Sequence, residues 1–311
     1  MSIHVLKQGL QTTVQDLGRP GFAHLGISAS GAADAFSIQI GNLLVGNEPN
    51  TAALEITITG GKYKFTTDSY IALSGSDFDA QIDGKTVANW TGVSIKKGQC
   101  LQVNKSLGGA RCYLSVQGGI DVPILLNSRS THLMTGLGGF DGCVLKKDYV
   151  LKIGHVVNKL TKITLINKQE MEQKLERKTI RVTKGLEGDW FNDDTWELFL
   201  NKNFRVSQSF SRMGIRLEGN TIQSTEGNEI MTQGISLGVV QIPGNGEPII
   251  SFVEHQTTGG YPRIANVISA DFCKVGQLKP GDKFKFTLVT IDQAEQLYKM
   301  QLKIIHNIAV S

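Results

Sequence analysis

The sequence lacks most of the features that assign a chain quickly. Of its 311 residues only four are cysteines, Cys100, Cys112, Cys143 and Cys273, with no CxxC spacing among them. That excludes the usual thiolate zinc sites and points to reduced thiols rather than a disulfide framework. The six histidines, His4, His24, His132, His155, His255 and His306, are scattered, with no pair at metal-ligand spacing. No GxxxxGK[ST] loop, HExxH helix or GxGxxG after a strand occurs, so a nucleotide-binding loop, a zincin and a dinucleotide fingerprint are all excluded. Charged residues make up 19% and the net charge is +4, with no basic stripe beside aromatics. A nucleic-acid partner is therefore not expected. No apolar run approaches the 18 or more residues of a membrane span. The opening MSIHVLKQGLQTTVQD has no basic segment followed by an apolar one, so no secretory signal and a cytoplasmic location are expected.

What is abundant is glycine, 35 residues, against a usual share of about 7%. Glycine serves tight turns and close backbone approach, and the chain reads as many short strands separated by turns. ALEITIT, YIALSG, DFDAQID, CLQVNK and ARCYLSVQGG in the first half, and TIRVTKG, MGIRLEG, PIISFVE and DKFKFTLV in the second, are runs of this kind. Asp83-Gly84 is a hairpin-turn candidate. The period changes at Ala32 to Val45, where Phe36, Ile40, Leu43 and Leu44 share one helix face, with Ser30 as expected N-cap. A second short helix is expected over Asp189 to Leu200, capped by Asp193 or Asp194. From Thr290 an amphipathic helix is expected. The polar stretch Asn167 to Lys178, within the segment Lys159 to Arg181, is the best boundary. It gives an N-terminal domain, 1–167, a C-terminal domain, 179–290, and a helical tail, 291–311. VQGGIDVP and LKKDYVLKI in the first half echo VQIPGNGEP and LKPGDKFKF in the second, as a duplication would.

Three stretches concentrate polar chemistry. EHQTTGGYPRI, 254–264, lies between two apolar runs. Gly259 and Gly260 there permit positive φ, Pro262 holds Tyr261 extended, and successive N–H groups can form an anion-binding nest. Strand alternation places Glu254 and Gln256 on one side and His255 on the other. In SRMGIRLEG, Arg212, Gly214, Arg216 and Glu218 share a face, either as a solvated surface or with Arg212 reaching an anion. In the N-terminal part, Gln15, Asp16 and Arg19 lie in a loop near Asp34 in the first turn of the helix, where the dipole favours a negative charge. The glycine cluster TGLGGFDG, 135–142, reads as turns. The residues alone thus describe a β-rich chain that binds a small anionic or amide ligand.

The phrases GLQTTVQDLGRPG, SGAADAFSIQIGNLLVGN, RMGIRLEG, GVVQIPGNGEPI, QTTGGYPRIANVISAD and QLKPGD occur in order. Together they resemble the carboxyltransferase-domain family of urea carboxylase and its relatives, which includes the C subunit of bacterial 5-oxoprolinase. The resemblance spans roughly residues 8 to 290. It implies a mainly β protein of two cyclophilin-like β-barrel domains with a few short helices, working with a B-type subunit and an A-type subunit. The implied reaction opens the lactam 5-oxo-L-proline to L-glutamate with ATP and Mg2+. The alternatives are carboxyl transfer from carboxybiotin on a separate carrier to a urea-like amide, and a non-catalytic regulatory protein that binds a B-type partner. Carried over on matching positions, Asp34, Glu254 and Arg212 are the implied catalytic residues. Gln15, Arg19, Ser30, Ser128, Arg129, Glu226, Gln241, Gln256, Thr257, Thr258, Gly259, Gly260 and Tyr261 are the implied binding residues. Departures from the family pattern are Ala33, His132 after SRST, Cys143 after GGFDG, and the Glu254-His255 pair.

Overall fold

The computed structural model of the protein describes residues 1–156 and 166–310. Residues 159–165 of the segment expected to hold the boundary lie outside the described residues. The chain divides into two compact units. One comprises Met1–Arg19, Ser30–Leu175 and the chain from Lys303; the other comprises Pro20–Ala29 and Glu176–Leu302.

Among its described residues the first unit contains twelve strands: β1 (Ser2–Lys7), β2 (Gln11–Gln15), β3 (Ala53–Thr57), β4 (Lys62–Phe65), β5 (Ser69–Gly75), β6 (Phe78–Ile82), β7 (Lys85–Thr86), β8 (Thr91–Ile95), β9 (Cys100–Ser106), β10 (Arg111–Val116), β11 (Ile120–Asp121) and β12 (Val150–Ile153). They form a seven-stranded sheet, β11-β12-β1-β4-β9-β6-β7, and a five-stranded sheet, β2-β3-β10-β5-β8. Residues from both sheets, among them Ile3, Val5, Tyr63, Phe65, Leu101, Leu54, Ile56, Ile71, Leu114 and Val116, fill one buried cluster. Two layers sharing a core are a sandwich. Among the described residues the barrel expected here is not closed: the larger sheet ends in the two-residue strands β7 and β11. The Asp83-Gly84 turn joins β6 to β7, with φ of 48° and 85°. Two positive φ values are what a type I′ hairpin turn demands.

Helix α1 (Ala35–Leu44) buries Phe36, Ile38, Ile40 and Leu44. Asp34 rather than Ser30 caps it, its carboxylate accepting from the Ser37 N–H at 2.9 Å and from Ser37 Oγ at 2.5 Å. Ser30 instead sits at φ 54° and donates its hydroxyl to the Thr131 carbonyl at 2.9 Å. Gly41 lets the helix lie against β5 and β10, because a Cβ there would come within 2.5 Å of Ser74 Oγ and 2.8 Å of Ser115 Oγ. Helix α2 (Lys168–Lys174) follows, capped by Asn167.

The second unit contains β13 (Thr179–Lys184), α3 (Asp193–Asn201), β14 (Phe204–Phe210), β15 (Gly214–Glu218), β16 (Gln233–Gly234), β17 (Val239–Gln241), β18 (Ile249–Ser251), β19 (Thr258–Gly259), β20 (Arg263–Val267), α4 (Phe272–Gly276) and β21 (Lys283–Leu288). Seven of its strands close a barrel in the order β13-β20-β17-β18-β15-β14-β21, while β16 and β19 pair separately. Alternation fills the barrel: Phe284 and Phe286 of β21 are buried while Lys283 and Lys285 are exposed. Phe286 stacks on Phe199 of α3 at 4.5 Å between centroids and meets Phe204 and Phe284 at 5.5 and 5.1 Å. Asn192, not Asp193 or Asp194, caps α3, accepting from the Thr195 N–H at 2.9 Å. The final helix, α5 (Ile291–Val310), opens on a reciprocal cap in which the Thr290 N–H donates to Gln293 Oε1 at 3.0 Å and the Gln293 N–H donates to Thr290 Oγ1 at 3.2 Å. No described helix is long and apolar enough to cross a membrane.

Candidate functional site

The barrel carries a pocket on its outer face. Strand β15 buries Ile215 and Leu217 and turns Gly214 and Arg216 outward. Its ladder with β18 sets Gly214 opposite Ser251 and Arg216 opposite Ile249, and β17 sets Gln241 opposite Ile249. Arg216, Ile249 and Gln241 therefore form one row across three strands, floored by the barrel core. Ser209, Ser211, Met213, Ile235, His255, Gln256 and Tyr261 complete a cavity of about 300 Å³.

One wall is a small flap. The β16–β19 ladder pairs Gln233 with Gly259 and Gly234 with Thr258, and the Ile230 and Ile235 N–H groups donate to the carbonyls of Gly260 and Thr257 at 2.8 and 3.0 Å. Neither Gly259 nor Gly260 adopts positive φ. The glycine requirement is one of space: a Cβ on Gly259 would lie 2.1 Å from Ile235 Cδ1 and 2.9 Å from Gln241 Nε2. The nest expected at 257–260 is replaced by this ladder, which supports the pocket wall. Arg263 braces the flap from behind, donating to Gln233 Oε1 at 2.9 Å and to Glu187 at 2.5 and 2.6 Å. The guanidinium in turn holds the Glu187 carboxyl below its ordinary value.

Arg212 and Glu254, expected on a solvated face or in chemistry, form a buried ion pair. Arg212 Nε meets Glu254 Oε1 at 2.5 Å, with the two side chains 4% and 1% exposed. The Glu254 N–H also donates to the Arg212 carbonyl at 2.8 Å. Residues 253–254 are a turn, not strand, so the expected alternation fails: Glu254 points into the body of the unit, while His255 and Gln256 both line the pocket.

His255 is the residue the strand argument turned away. Its Nδ1 lies 2.7 Å from the Gln256 carbonyl. A carbonyl only accepts, so Nδ1 carries the hydrogen and the neutral ring keeps its lone pair on Nε2. Burial pushes the imidazole below its ordinary value, against the smaller raising effect of that hydrogen bond. The pocket thus offers an acceptor nitrogen, a cation in Arg216, two carboxamides in Gln241 and Gln256, and hydroxyls from Ser209, Ser211, Ser251 and Tyr261. Residues 234–238 spell Gly-Ile-Ser-Leu-Gly, the GxSxG pattern of a nucleophile elbow. Ser236 leads into β17 rather than from a strand into a helix, so that geometry is absent.

The remaining expected residues form a second cluster, in the first unit. Asp16 accepts from the Gly18 N–H at 2.8 Å, Ser128 Oγ at 2.7 Å, Ser130 Oγ at 2.5 Å and the Arg129 N–H at 2.6 Å. Gln15 Nε2 donates to Thr131 O and Thr13 Oγ1, both at 3.0 Å, and Arg19 donates to Ser130 O. Asp34 is fully buried at the α1 cap, and its N–H donates to the Tyr113 hydroxyl at 2.8 Å. That hydroxyl donates to Glu55 Oε2 at 2.8 Å, and burial, with the Glu55 and Asp34 charges, holds its pKa well above the ordinary phenol range. Gln15, Arg19, Ser30 and Ser128 thus hold loops together through these bonds, while Gln15 Oε1 is buried without a hydrogen-bond partner among the described residues. Arg129 alone of this group lines a cavity. Glu226 is exposed in an irregular segment and is not among the residues lining either cavity.

Among the described residues no group of three or more His, Cys, Asp or Glu is placed to hold a metal ion. Comparison with known proteins places this arrangement. The profile of the family described as carboxyltransferase domain, subdomain A and B, matches residues 25–288. The chain belongs to the carboxyltransferase-domain family. A relative in Escherichia coli (strain K12), the C subunit of 5-oxoprolinase, is 39% identical over 294 residues, covering 94% of this chain and 93% of that protein. Urea amidolyase of Saccharomyces cerevisiae is 33% identical over 319 residues, 96% of this chain but 17% of the larger protein. Among solved structures, the urea carboxylase of Kluyveromyces lactis superposes with a TM-score of 0.90 at 34% identity, covering 99% of this chain and 29% of that one. The chain thus carries a carboxyltransferase-type catalytic domain and spans less than a third of the urea enzymes it matches. Sequence reasoning noted His255 and Arg216 but turned His255 away from Gln256, and it did not point to Ser209 of β14 or Ser251 of β18, which line the same pocket.

Proposed function

We propose that the chain is the amide-activating subunit of a multi-protein enzyme acting on a small amide or lactam. The first reaction to test is ATP-driven opening of 5-oxo-L-proline to L-glutamate. The observation that carries this reading is the neutral His255, its Nδ1–H fixed on the Gln256 carbonyl, in a pocket that also holds two carboxamides and Arg216.

An amide is a poor nucleophile and a poor electrophile because its nitrogen lone pair is delocalised. Removing the N–H proton changes this, placing negative charge on oxygen and nitrogen together. His255 Nε2 takes that proton as general base. Serine and tyrosine hydroxyls stabilise the charge developing on oxygen, Gln241 and Gln256 fix the amide plane, and Arg216 holds a substrate carboxylate. The activated oxygen can attack a phosphoryl donor, as lactam opening needs, or the activated nitrogen a carboxyl donor. The pocket lining contains no Asp or Glu, so it does not fit Mg2+, which takes carboxylate oxygens. ATP and Mg2+ are assigned to another subunit of the assembly, with the B-type and A-type chains as partners.

The second reading is carboxyl transfer to a urea-like amide, with carboxybiotin on a separate carrier as donor of the carboxyl group. The likeness to urea carboxylase along nearly the whole chain favours it. Arg216 distinguishes the two, since urea has no carboxylate to meet it. The test reconstitutes the chain with its B-type and A-type partners and follows glutamate release from 5-oxoproline with ATP. Release that needs ATP and no biotin supports the lactam reading, and turnover that needs a biotinylated carrier overturns it. In either assay His255→Asn is expected to lower kcat by roughly 10²- to 10⁴-fold, and an unchanged kcat refutes the role of His255.

A further inference from the structure

The first unit has a cavity of its own, of about 410 Å³, which the barrel chemistry does not use. Its walls include Glu48, Thr51, Gly118, Gly119, Asp121 and Arg129. Gly118 and Gly119 take φ of 88° and 72°. A Cβ on Gly118 would sit 2.5 Å from the Gly154 carbonyl oxygen, and one on Gly119 would sit 2.3 Å from Thr51 Cγ2. The wall is therefore a close-packed turn, not an incidental dent.

Arg129 is unusually well anchored for a half-exposed arginine. Its N–H is held by Asp16, whose carboxylate also takes the hydroxyls of both neighbours, Ser128 and Ser130. Its Nε donates to the Val122 carbonyl at 2.9 Å. The terminal nitrogens remain for the cavity. The nearest carboxylate oxygen to them, on Asp121, stands at 3.7 Å, beyond hydrogen-bond reach, and the two side chains are 38% and 52% exposed. A fixed cation and an acid thus sit side by side as a loose, half-exposed ion pair with no hydrogen bond between them. A simple anion would meet Arg129, with His155 also in the lining, but would face the two carboxylates of Asp121 and Glu48. A molecule with a carboxylate and an ammonium on one carbon satisfies both.

We propose that this cavity binds the main-chain end of a free α-amino acid, with the α-carboxylate on the Arg129 guanidinium and the α-ammonium on Asp121. The fork of Arg129 suits bidentate pairing with a carboxylate. The side chain of the amino acid extends along the glycine wall toward Thr51. The site is independent of the barrel pocket, so its test reads binding and not turnover.

The test titrates the full chain with L-alanine and L-glutamate, and with propionate and glutarate, which are the same molecules without the ammonium. Calorimetry and ligand-observed NMR give the affinities. The amino acids are expected to bind with Kd near about 1 mM and the plain acids about tenfold or more weakly. Arg129→Ala is expected to abolish binding of all four. Asp121→Asn leaves the Asp16 anchor in place and is expected to bring the amino acids down to the level of the acids. If Arg129→Ala does not fold, Asp121→Asn decides alone. Equal affinity for glutamate and glutarate, or no binding of either amino acid at about 10 mM, or unchanged discrimination in Asp121→Asn, overturns the proposal. None of these outcomes alters the reading of the barrel pocket.

Discussion

Glu254→Gln isolates the buried ion pair beneath the barrel pocket. The substitution keeps shape and one acceptor but removes the negative charge facing Arg212, which is 5% exposed. The guanidinium cannot be neutralised by titration, so it stays charged in a poorly hydrated place. Breaking a buried pair by removing one partner costs about 3–5 kcal/mol. The retained amide oxygen still accepts from Arg212, which puts the expected loss near the lower figure, about 3 kcal/mol. The pair ties the turn at 253–254 to the segment preceding β15, so the loss belongs to the second unit. Hydrogen exchange of β15 and β18 peptides reads it locally, as about a hundredfold faster exchange. Replacing both partners, Arg212→Met with Glu254→Leu, removes both desolvation penalties and is expected to restore stability to within about 1–2 kcal/mol of the parent. Exchange in Glu254→Gln changed by less than about threefold, or a double variant no more stable than the single one, would refute the reasoning that this pair is structural and costly to split.

Three further outcomes follow from other parts of the molecule. Because burial lowers the His255 pKa, the acid limb of kcat/KM is expected to lie below the ordinary histidine value of about 6.5. The unfolded chain takes up that proton more readily than the folded one, so stability falls as pH drops from about 6.5 toward the lowered folded value; an acid limb above about 6.5 sinks the assignment. Gly259→Ala is expected to displace Gln241 and Ile235 and raise KM about tenfold, with the melting temperature lowered by only a few degrees; an unchanged KM would mean that the flap does not shape the pocket. Asp34→Ala removes the α1 cap and the acceptor for Ser37 Oγ in a fully buried place, for an expected cost of about 2–4 kcal/mol by urea unfolding. Asp34→Ser, which can still accept from the Ser37 N–H, is expected to recover about half of it.

The β style of both units, the α1 face and the C-terminal helix were legible because each is a local pattern: alternation, a 3.6 period, turn residues at fixed spacing. Even there the caps were misplaced. Ser30 and Asp193 are reasonable capping residues by type, yet Asp34 and Asn192 cap α1 and α3, since a cap is decided by which residue leaves the helical path. Barrel closure in the second unit was expected only from the family resemblance. It depends on pairing between β13 and β21, about a hundred residues apart in sequence and parallel to each other, and no local pattern reports such a partner. In the site, the loop 254–262 was found from its density of polar residues, but its internal orientation was not. A strand would have sent His255 away from Gln256, and the turn at 253–254 removes that constraint.

Asp34 and Glu254, expected as chemical groups, are engaged by the chain's own donors, and the same holds for the other deeply buried acids. Asp16, Asp34, Glu55, Glu254 and Asp271 are all at most 4% exposed, and each carboxylate is held by the chain's own donors: serine hydroxyls and N–H groups for Asp16, the α1 cap for Asp34, Tyr113 and the Ala33 N–H for Glu55, Arg212 for Glu254, Arg181 for Asp271. A carboxylate buried this deeply must be satisfied to exist there, and one that is satisfied has little lone-pair capacity left for a substrate. A glycine-rich β protein with many tight loops needs such anchors, because a loop without regular hydrogen bonding leaves N–H groups that only a charged or hydroxyl side chain can meet. The chemistry proposed for the barrel pocket accordingly uses groups that can stay neutral or half-exposed without cost: an imidazole, two carboxamides and a rim of hydroxyls. On that logic the buried acids of this chain's loops serve shape.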